Sequence, residues 1–221
     1  MNSGPDGRSG ALFATLAFLI WAALPIYFKA VSSVSPGEVL AHRILWSAVF
    51  VGLLTLVWEQ RTSLGSVFRD RRLMGWLTLS ALLVSGNWLI FIWAIANDRI
   101  LESSLGYYIN PLLNVVLGVL ILRERLRPLQ WFAIGLATLG VGNLVWEFGE
   151  IPWVALSLAL SFGLYGLIRK RIAVNALTGL FVETVLLAPL AMVYLAFLGY
   201  QGGVQFGSVG LSLDLLLAAA G

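Results

Sequence analysis

Long apolar stretches separated by short polar stretches dominate the sequence. Seven of them are long enough to cross a bilayer, since a helix needs about 20 apolar residues to span a hydrocarbon core of roughly 30 Å. An eighth begins at Leu211 and is too short to cross by residue 221. Short loops and the absence of strand-length alternation argue against a β-barrel, so the pattern predicts an all-α polytopic bundle. The predicted spans are residues 11–31, 38–58, 73–96, 101–122, 128–146, 152–170 and 176–198.

Composition supports a membrane protein. Hydrophobic residues make up 59% of the chain and charged residues 11%, whereas soluble domains carry about 25% charged residues. The net charge of +3 does not predict a nucleic-acid partner, because the basic residues form short clusters between apolar stretches. The chain has no cysteine, which excludes disulfides and thiolate metal sites. The first apolar stretch is too long for a cleaved signal peptide, which predicts a retained span.

Loop charge predicts the orientation. The loops on one side carry eleven basic residues and the alternate loops carry only Arg99. Because basic loops stay in the cytoplasm, the N-terminus is predicted to be cytoplasmic. The eleven basic residues are Arg8, Arg61, Arg69, Arg71, Arg72, Arg123, Arg125, Arg127, Arg169, Lys170 and Arg171.

A weak internal repeat predicts the domain organisation. Residues 16–29 align with residues 158–171 at an offset of 142, and Arg43 falls near Glu183 at an offset of 140. A unit with an odd number of spans must re-enter the membrane inverted, an architecture that recurs among transporters. The prediction is a cytoplasmic N-terminus (1–10), a first five-helix repeat (11–146) and a partial second repeat (147–221).

The fourth predicted span contains a polar face. Ser103, Tyr107, Asn110 and Asn114 recur at steps of four, three and four residues, which places them on one side of a helix. Pro111 frees a backbone carbonyl and bends the helix. Such groups need partners in a water-filled cavity or on a neighbouring helix. Both alternatives stay open, and the coincidence of stripe and bend favours a cavity wall.

Other intramembrane polar groups extend this candidate site. Asn87 and Trp88 lie midway along the third span, where packing and a pathway role are equally compatible with the pattern. Trp21 precedes Pro25 in the first span. Proline in a helix interior predicts a kink there as well.

Ionisable residues inside spans are functional candidates, because each costs about 2.5–3.5 kcal/mol at a helix centre on insertion scales. Arg43 lies in the outer part of the second span, beside His42, the only histidine. Glu102 opens the fourth span and could pair with Arg43. Glu183 lies in the inner part of the seventh span and is a candidate for ion coupling or for structure. One histidine cannot anchor a histidine-based metal site.

Enzyme signatures are absent from the sequence. No zinc-protease HExxH, nucleophile elbow GxSxG or phosphate-binding GxxxxGK[ST] occurs. The chain is therefore predicted not to be an enzyme and to use no cofactor or metal.

Five segments carry a family likeness, in the same order along nearly the whole chain: AHRILWS (41–47), GNWLIFIWAIAN (86–97), LGYYINPLLN (105–114), RERLRPLQW (123–131) and FGLYGLIRK (162–170). The chain resembles the RarD-type proteins of the EamA family, within the drug/metabolite transporter superfamily. The resemblance implies a bacterial inner-membrane carrier with two inverted five-helix repeats and a central cavity among spans that include 1, 3, 4 and 6. It also implies about two further helices, so the chain is expected to be truncated at its C-terminus.

The combined prediction is a secondary transporter that exports a small drug-like or metabolic solute by alternating access. Protons are candidate coupling ions, and the oligomeric state is left open. The alternative is a non-transporting membrane scaffold or an inactive fragment of such a carrier. Arg43, His42, Glu102 and Glu183 are the candidate gating or ionisable groups. The candidate pathway residues are Trp21, Asn87, Trp88, Tyr107, Tyr108, Asn110, Pro111 and Asn114.

Overall fold

The computed structural model describes residues 7–57, 61–121, 123–172 and 174–221. Within these ranges the chain folds into nine α-helices and contains no strand. The helices are α1 (Gly7–Ala30), α2 (Pro36–Val57), α3 (Arg61–Arg69), α4 (Arg71–Ala96), α5 (Ile100–Ile121), α6 (Pro128–Phe148), α7 (Trp153–Arg171), α8 (Ala176–Tyr200) and α9 (Leu211–Ala218). The prediction of an all-α polytopic membrane protein is confirmed.

The predicted spans correspond to α1, α2 and α4–α8, within a few residues at each end. The predicted ends at residues 58 and 122, and the first six residues, lie outside the described ranges. Among the described residues, five helices are long and apolar enough to cross a membrane: α2, α4, α5, α6 and α8. The corresponding apolar part of α1 is the shorter segment Leu19–Ala30. Helix α7 is less apolar, because it contains two serines and a tyrosine and ends in three basic residues.

Local sequence sets several helix ends. Asp70 caps α4, where its carboxylate accepts hydrogen bonds from the backbone N–H groups of Arg72 (2.9 Å) and Leu73 (3.0 Å). Asn175 caps α8 by accepting from the N–H of Thr178 at 2.7 Å. Gly149 ends α6 with a φ of 74°, a left-handed conformation that glycine adopts without steric cost. Helix α3 was not predicted, and it occupies what the sequence indicated as a loop.

The helices pack in a definite order around α7 and α8. Helix α7 lies against α4 and α5, while α8 lies against α2 and α4. Helix α9 packs on α2, and α1 packs on α4. No described side chain of α6 is buried, and many large apolar side chains on the bundle are exposed. An apolar exterior of this kind is compatible with lipid, because lipid tails offer no hydrogen-bond partners to polar groups on the surface.

Each end of the bundle contains a cluster of buried apolar side chains. We call the end that carries the turns at residues 31–35, 97–99 and 149–152 the outer end, and the opposite end the inner end. The main apolar core lies near the outer end, where α1, α2, α4, α7 and α9 meet. A smaller cluster built around Val67, Leu77 and Val182 lies near the inner end.

Candidate functional site: a polar cleft in the outer half of the bundle

A cleft of about 320 Å³ lies among helices α1, α2, α4, α5 and α7. Its lining residues lie in the outer half of their helices, except Pro111 and Phe162, which lie at the middle of α5 and α7. Its volume is at the lower end of the range for small-molecule sites, about 300–1,000 Å³. The lining residues are Trp21, Leu24, Phe28, Arg43, Asn87, Trp88, Phe91, Ile92, Ser103, Gly106, Tyr107, Asn110, Pro111, Leu158 and Phe162.

Close packing of α5 on α7 forms one wall of the cleft. A Cβ added at Gly106 would lie 3.2 Å from the carbonyl oxygen of Ala155 and 3.3 Å from the Cβ of Leu158. A Cβ at Gly163 would lie 3.1 Å from a methyl carbon of Leu113. Small residues at these two positions allow the helices to approach closely, as is common between helices in membranes.

Asn87 connects α4 to α7 at the back of the cleft. Its amide nitrogen donates to the carbonyl oxygen of Leu158 at 2.9 Å and to the hydroxyl oxygen of Ser161 at 2.9 Å. The same side chain lines the cleft. Asn87 therefore combines the two roles that the sequence left open, an interhelical hydrogen bond and a place on the cleft wall.

The polar face of α5 is only partly directed into the cleft. Tyr107, Asn110 and Pro111 line it, whereas Tyr108 and Asn114 do not. Asn114 instead lies beside α7, where its side-chain oxygen would be 3.3 Å from a Cβ on Gly163. The amide oxygen of Asn110 is buried without a hydrogen-bond partner among the described residues. Asn110 thus brings an unpaired acceptor to the wall of the cleft.

Arg43 enters the cleft from α2 and is held by aromatic rings. Its guanidinium carbon lies 4.4 Å from the ring centroid of Trp88 and 5.7 Å from that of Phe28. One terminal nitrogen donates to the carbonyl oxygen of Ala220 at 3.3 Å. The Nε of Arg43 is buried and has no hydrogen-bond partner in the described part of the chain.

The predicted pairing of Arg43 with Glu102 is wrong. Glu102 is buried, and its carboxylate accepts from the backbone N–H of Val154 at 2.9 Å and from Arg99 at 3.0 Å. The start of α7 offers unpaired N–H groups and the positive end of a helix dipole, which attract a carboxylate. Glu102 therefore joins α5 to the start of α7 and does not line the cleft.

A second polar cluster lies in the inner half of the bundle, around Glu183. This carboxylate is 1% exposed and accepts from the hydroxyl groups of Ser80 (2.6 Å) and Tyr165 (3.5 Å). A terminal nitrogen of Arg169 lies 3.7 Å from the Oε1 of Glu183. The cluster connects α4, α7 and α8 and does not line the cleft. The sequence assigned Arg169 to the basic loop clusters, so this ion pair was missed.

His42 lies apart from the cleft, near the outer end. Its ring stacks on Phe206 with the centroids 4.6 Å apart. The nearby Glu38 is fully buried, and its carboxylate accepts from the backbone N–H groups of Gln205 (2.8 Å) and Phe206 (3.1 Å). Sequence patterns did not indicate a role for Glu38, because it lies at the edge of the predicted span. Glu38 attaches the segment before α9 to the start of α2.

Comparisons with known proteins identify the family. Residues 8–146 match the EamA-like transporter family. An uncharacterized transporter of Vibrio cholerae is 49% identical over 216 residues, which cover 98% of this chain and 72% of the relative. The Protein RarD of Escherichia coli K12 is 45% identical over 214 residues, covering 97% of this chain and 72% of the relative. The chloramphenicol-sensitive protein RarD of Pseudomonas aeruginosa is 35% identical over 194 residues, covering 86% of this chain and 65% of the relative.

No solved structure gives a significant match. The family match covers more than half of the chain, and the RarD relatives align with nearly all of it. The chain therefore belongs to the EamA-like transporter family of the drug/metabolite transporter superfamily, as a RarD-type multi-pass membrane protein.

Proposed function

We propose that the chain is a secondary transporter that moves a small organic solute through the outer cleft by alternating access. The observation that carries this proposal is the cleft itself. Five helices of an apolar bundle converge on a space bordered by Arg43, Asn87, Tyr107 and Asn110. Polar and charged groups inside a membrane are costly, and they generally mark a solute or ion pathway.

We assign the Glu183 cluster as the contact that closes the inner side of the bundle. It connects α4, α7 and α8 on the side of the bundle opposite the cleft. In a carrier that exposes its site to one side at a time, such a cluster keeps the inner side closed while the outer side is accessible. Inward opening would then require the contacts of Glu183 with Ser80 and Arg169 to break. Protons are the candidate coupling ions, with Glu183 as their acceptor.

The inverted repeat belongs to the same proposal. Its offset makes α2 and α8 equivalent helices, and these two helices pack directly against each other. Contact between equivalent helices is expected when two inverted units surround a common site. The arginine-rich inner end supports a cytoplasmic N-terminus and an inner-membrane location.

Replacing Asn110 by alanine is expected to reduce transport severalfold, because a hydrogen bond between uncharged groups contributes about 0.5–1.5 kcal/mol. The natural protein is expressed in cells, and the accumulation of a panel of radiolabelled organic solutes is measured. The panel includes chloramphenicol, which appears in the name of one relative. Expression of the natural protein is expected to change the accumulation of at least one solute.

Asn143→Ala is the matched control. Asn143 is exposed on α6, where it donates to Glu147 at 3.1 Å, and it does not line the cleft. This variant is expected to transport at the rate of the natural protein. An unchanged rate in Asn110→Ala, at the same amount of protein in the membrane, would remove Asn110 from the pathway. A panel in which no solute responds to expression would count against transport itself.

A further inference from the structure

We propose that the cleft selects organic anions. The carboxylate of the solute binds Arg43, and the apolar, largely aromatic body of the solute lies against the surrounding rings. This inference rests on the proposed function, because it assigns a substrate class to the same cleft. It goes further by naming the charge of the solute and the residue that recognises it.

The first observation is the charge of Arg43. Four other basic residues in the described part of the chain have carboxylate partners: Lys29 with Asp98, Arg99 with Glu102, Arg169 with Glu183 and Lys170 with Glu124. Arg43 lies deeper in the bundle than Lys29 or Arg99, yet none of the described carboxylates forms an ion pair with it. Buried charges are normally paired, so a cation facing a cleft without a counter-ion favours an anionic ligand.

The second observation is the geometry of the guanidinium group. The guanidinium carbon lies 4.4 Å from the ring centroid of Trp88, a cation–π contact that occupies none of the N–H donors. One terminal nitrogen donates to the carbonyl oxygen of Ala220. The Nε is a buried donor without a described partner. A guanidinium held beside aromatic rings can present its remaining N–H groups in parallel to a carboxylate, the arrangement in which arginine binds carboxylates most specifically.

The third observation is the composition of the walls. Rings of tryptophan, phenylalanine and tyrosine line the cleft and come from α1, α4, α5 and α7. They suit a flat apolar body, since aromatic rings stack in offset or edge-to-face arrangements. The unpartnered amide oxygen of Asn110 suits a hydrogen-bond donor on that body. The described volume of about 320 Å³ suits a small solute.

The test compares carboxylates with their uncharged amides. The purified natural protein is heated with indole-3-acetate or indole-3-acetamide, with benzoate or benzamide, and with hexanoate or hexanamide. Each pair shares one body and differs in charge. Ligands that bind only the folded state raise the melting temperature according to their affinity. We expect stabilisation by the carboxylates, strongest for the indole compound because it also carries an N–H donor, and little by the amides.

Arg43→Gln provides the second arm. We expect it to weaken carboxylate binding about tenfold to a hundredfold, because hydrogen bonds to charged groups are the stronger ones. Arg69→Gln is the matched control, since Arg69 is exposed at the end of α3 and does not line the cleft. It should bind the carboxylates as the natural protein does. If Arg43→Gln does not fold, the comparison of acids with amides on the natural protein still decides whether the cleft selects carboxylates.

Counterflow in proteoliposomes separates this inference from the proposed function. Binding or transport of amides or of organic cations in preference to the carboxylates would overturn the anion assignment and leave the transporter intact. Undiminished carboxylate binding by Arg43→Gln would overturn the assignment of Arg43 as the residue that recognises the anion, and would leave it a structural residue that contacts Trp88. No binding and no transport of any solute class would contradict both proposals.

Discussion

Replacing Glu183 by alanine is expected to lower the free energy of unfolding by about 3 kcal/mol. Breaking a buried ion pair costs about 3–5 kcal/mol because the remaining charge stays buried without compensation. Arg169 would lose the carboxylate 3.7 Å away, and Ser80 and Tyr165 would lose their acceptor. The lower end of the range applies because Arg169 lies in the last turn of α7, with 14% of its side chain exposed. The measurement is a denaturant titration of the purified protein in detergent.

The chain offers a matched control one residue further along α7. Lys170 pairs with Glu124 at 2.6 Å, but both side chains are largely exposed, at 63% and 46%. Pairs of this kind contribute about 0–1 kcal/mol, so Glu124→Ala should change the free energy of unfolding by less than about 1 kcal/mol. Equal losses in the two variants would contradict the assignment of the Glu183 cluster as the buried connection between α4, α7 and α8.

Replacing Gly163 by leucine is expected to cost about 1–3 kcal/mol and to impair solute binding in the cleft. The first added carbon alone would lie 3.1 Å from Leu113, 3.2 Å from Leu117 and 3.3 Å from the side-chain oxygen of Asn114. A leucine adds three more carbons, and overpacking of this kind costs about 1–3 kcal/mol. Relief requires the side chains of α5, or the helix itself, to move away from α7, which would disturb the helix that carries Tyr107 and Asn110. Melting temperature and ligand binding are measured on the same preparations.

Gly166→Leu is the control for this change. Gly166 lies on the same helix, and a Cβ there would meet no atom within 4 Å. The two substitutions change helix propensity and hydropathy alike, so their difference isolates the contact between α5 and α7. Gly166→Leu is expected to keep both stability and binding. A Gly163→Leu protein as stable as Gly166→Leu would show that α5 and α7 do not approach as closely as described.

The spans were predictable because hydropathy and helix-end residues act locally. The predicted 73–96 and the observed Arg71–Ala96 differ because Asp70 caps α4, so that the helix begins at Arg71, two residues before the apolar pattern. Helix α3 was missed because its sequence lacks the apolar pattern that marked the other helices. It is a nine-residue segment of mixed polarity, too short to produce the long apolar stretch that predicted the other helices.

Partners between helices were less predictable than helix boundaries. The periodicity of α5 placed Tyr107, Asn110 and Asn114 on one face, yet only the first two line the cleft. Which part of a helical face meets a neighbour depends on the rotation and axial offset of both helices, and a single periodicity does not contain that information. The pairing of Glu102 was misjudged because the free N–H groups at the start of α7 compete with Arg43 for the carboxylate.

The ion pair between Arg169 and Glu183 was the hardest contact to anticipate. Arg169 and Glu183 are fourteen residues apart along the chain but belong to antiparallel helices that meet near the inner end. The sequence placed both residues near that end and nevertheless assigned Arg169 to a loop. Positions that carry charge within a span stand out in the sequence because a charge is costly there and needs a partner. The identity of that partner followed only from the packing of α4, α7 and α8.

Access of water to the cleft from the outer side can be measured with single cysteines. The sequence contains no cysteine, so Leu24→Cys introduces a single thiol into the cleft wall on α1. Leu139→Cys, at an exposed apolar position on α6, introduces one on the surface assigned to lipid. Maleimides react with the thiolate, which requires water. A membrane-impermeant maleimide is applied to right-side-out and to inside-out vesicles.

We expect Leu24→Cys to be labelled from the outer side, transported solute to slow this labelling, and Leu139→Cys to remain unlabelled from either side. Labelling of Leu24→Cys at equal rates from both sides would contradict the inner closure around Glu183. A thiol at position 24 that stays as unreactive as the one at position 139 would mean that the cleft is filled by lipid or protein and that solute does not pass through it.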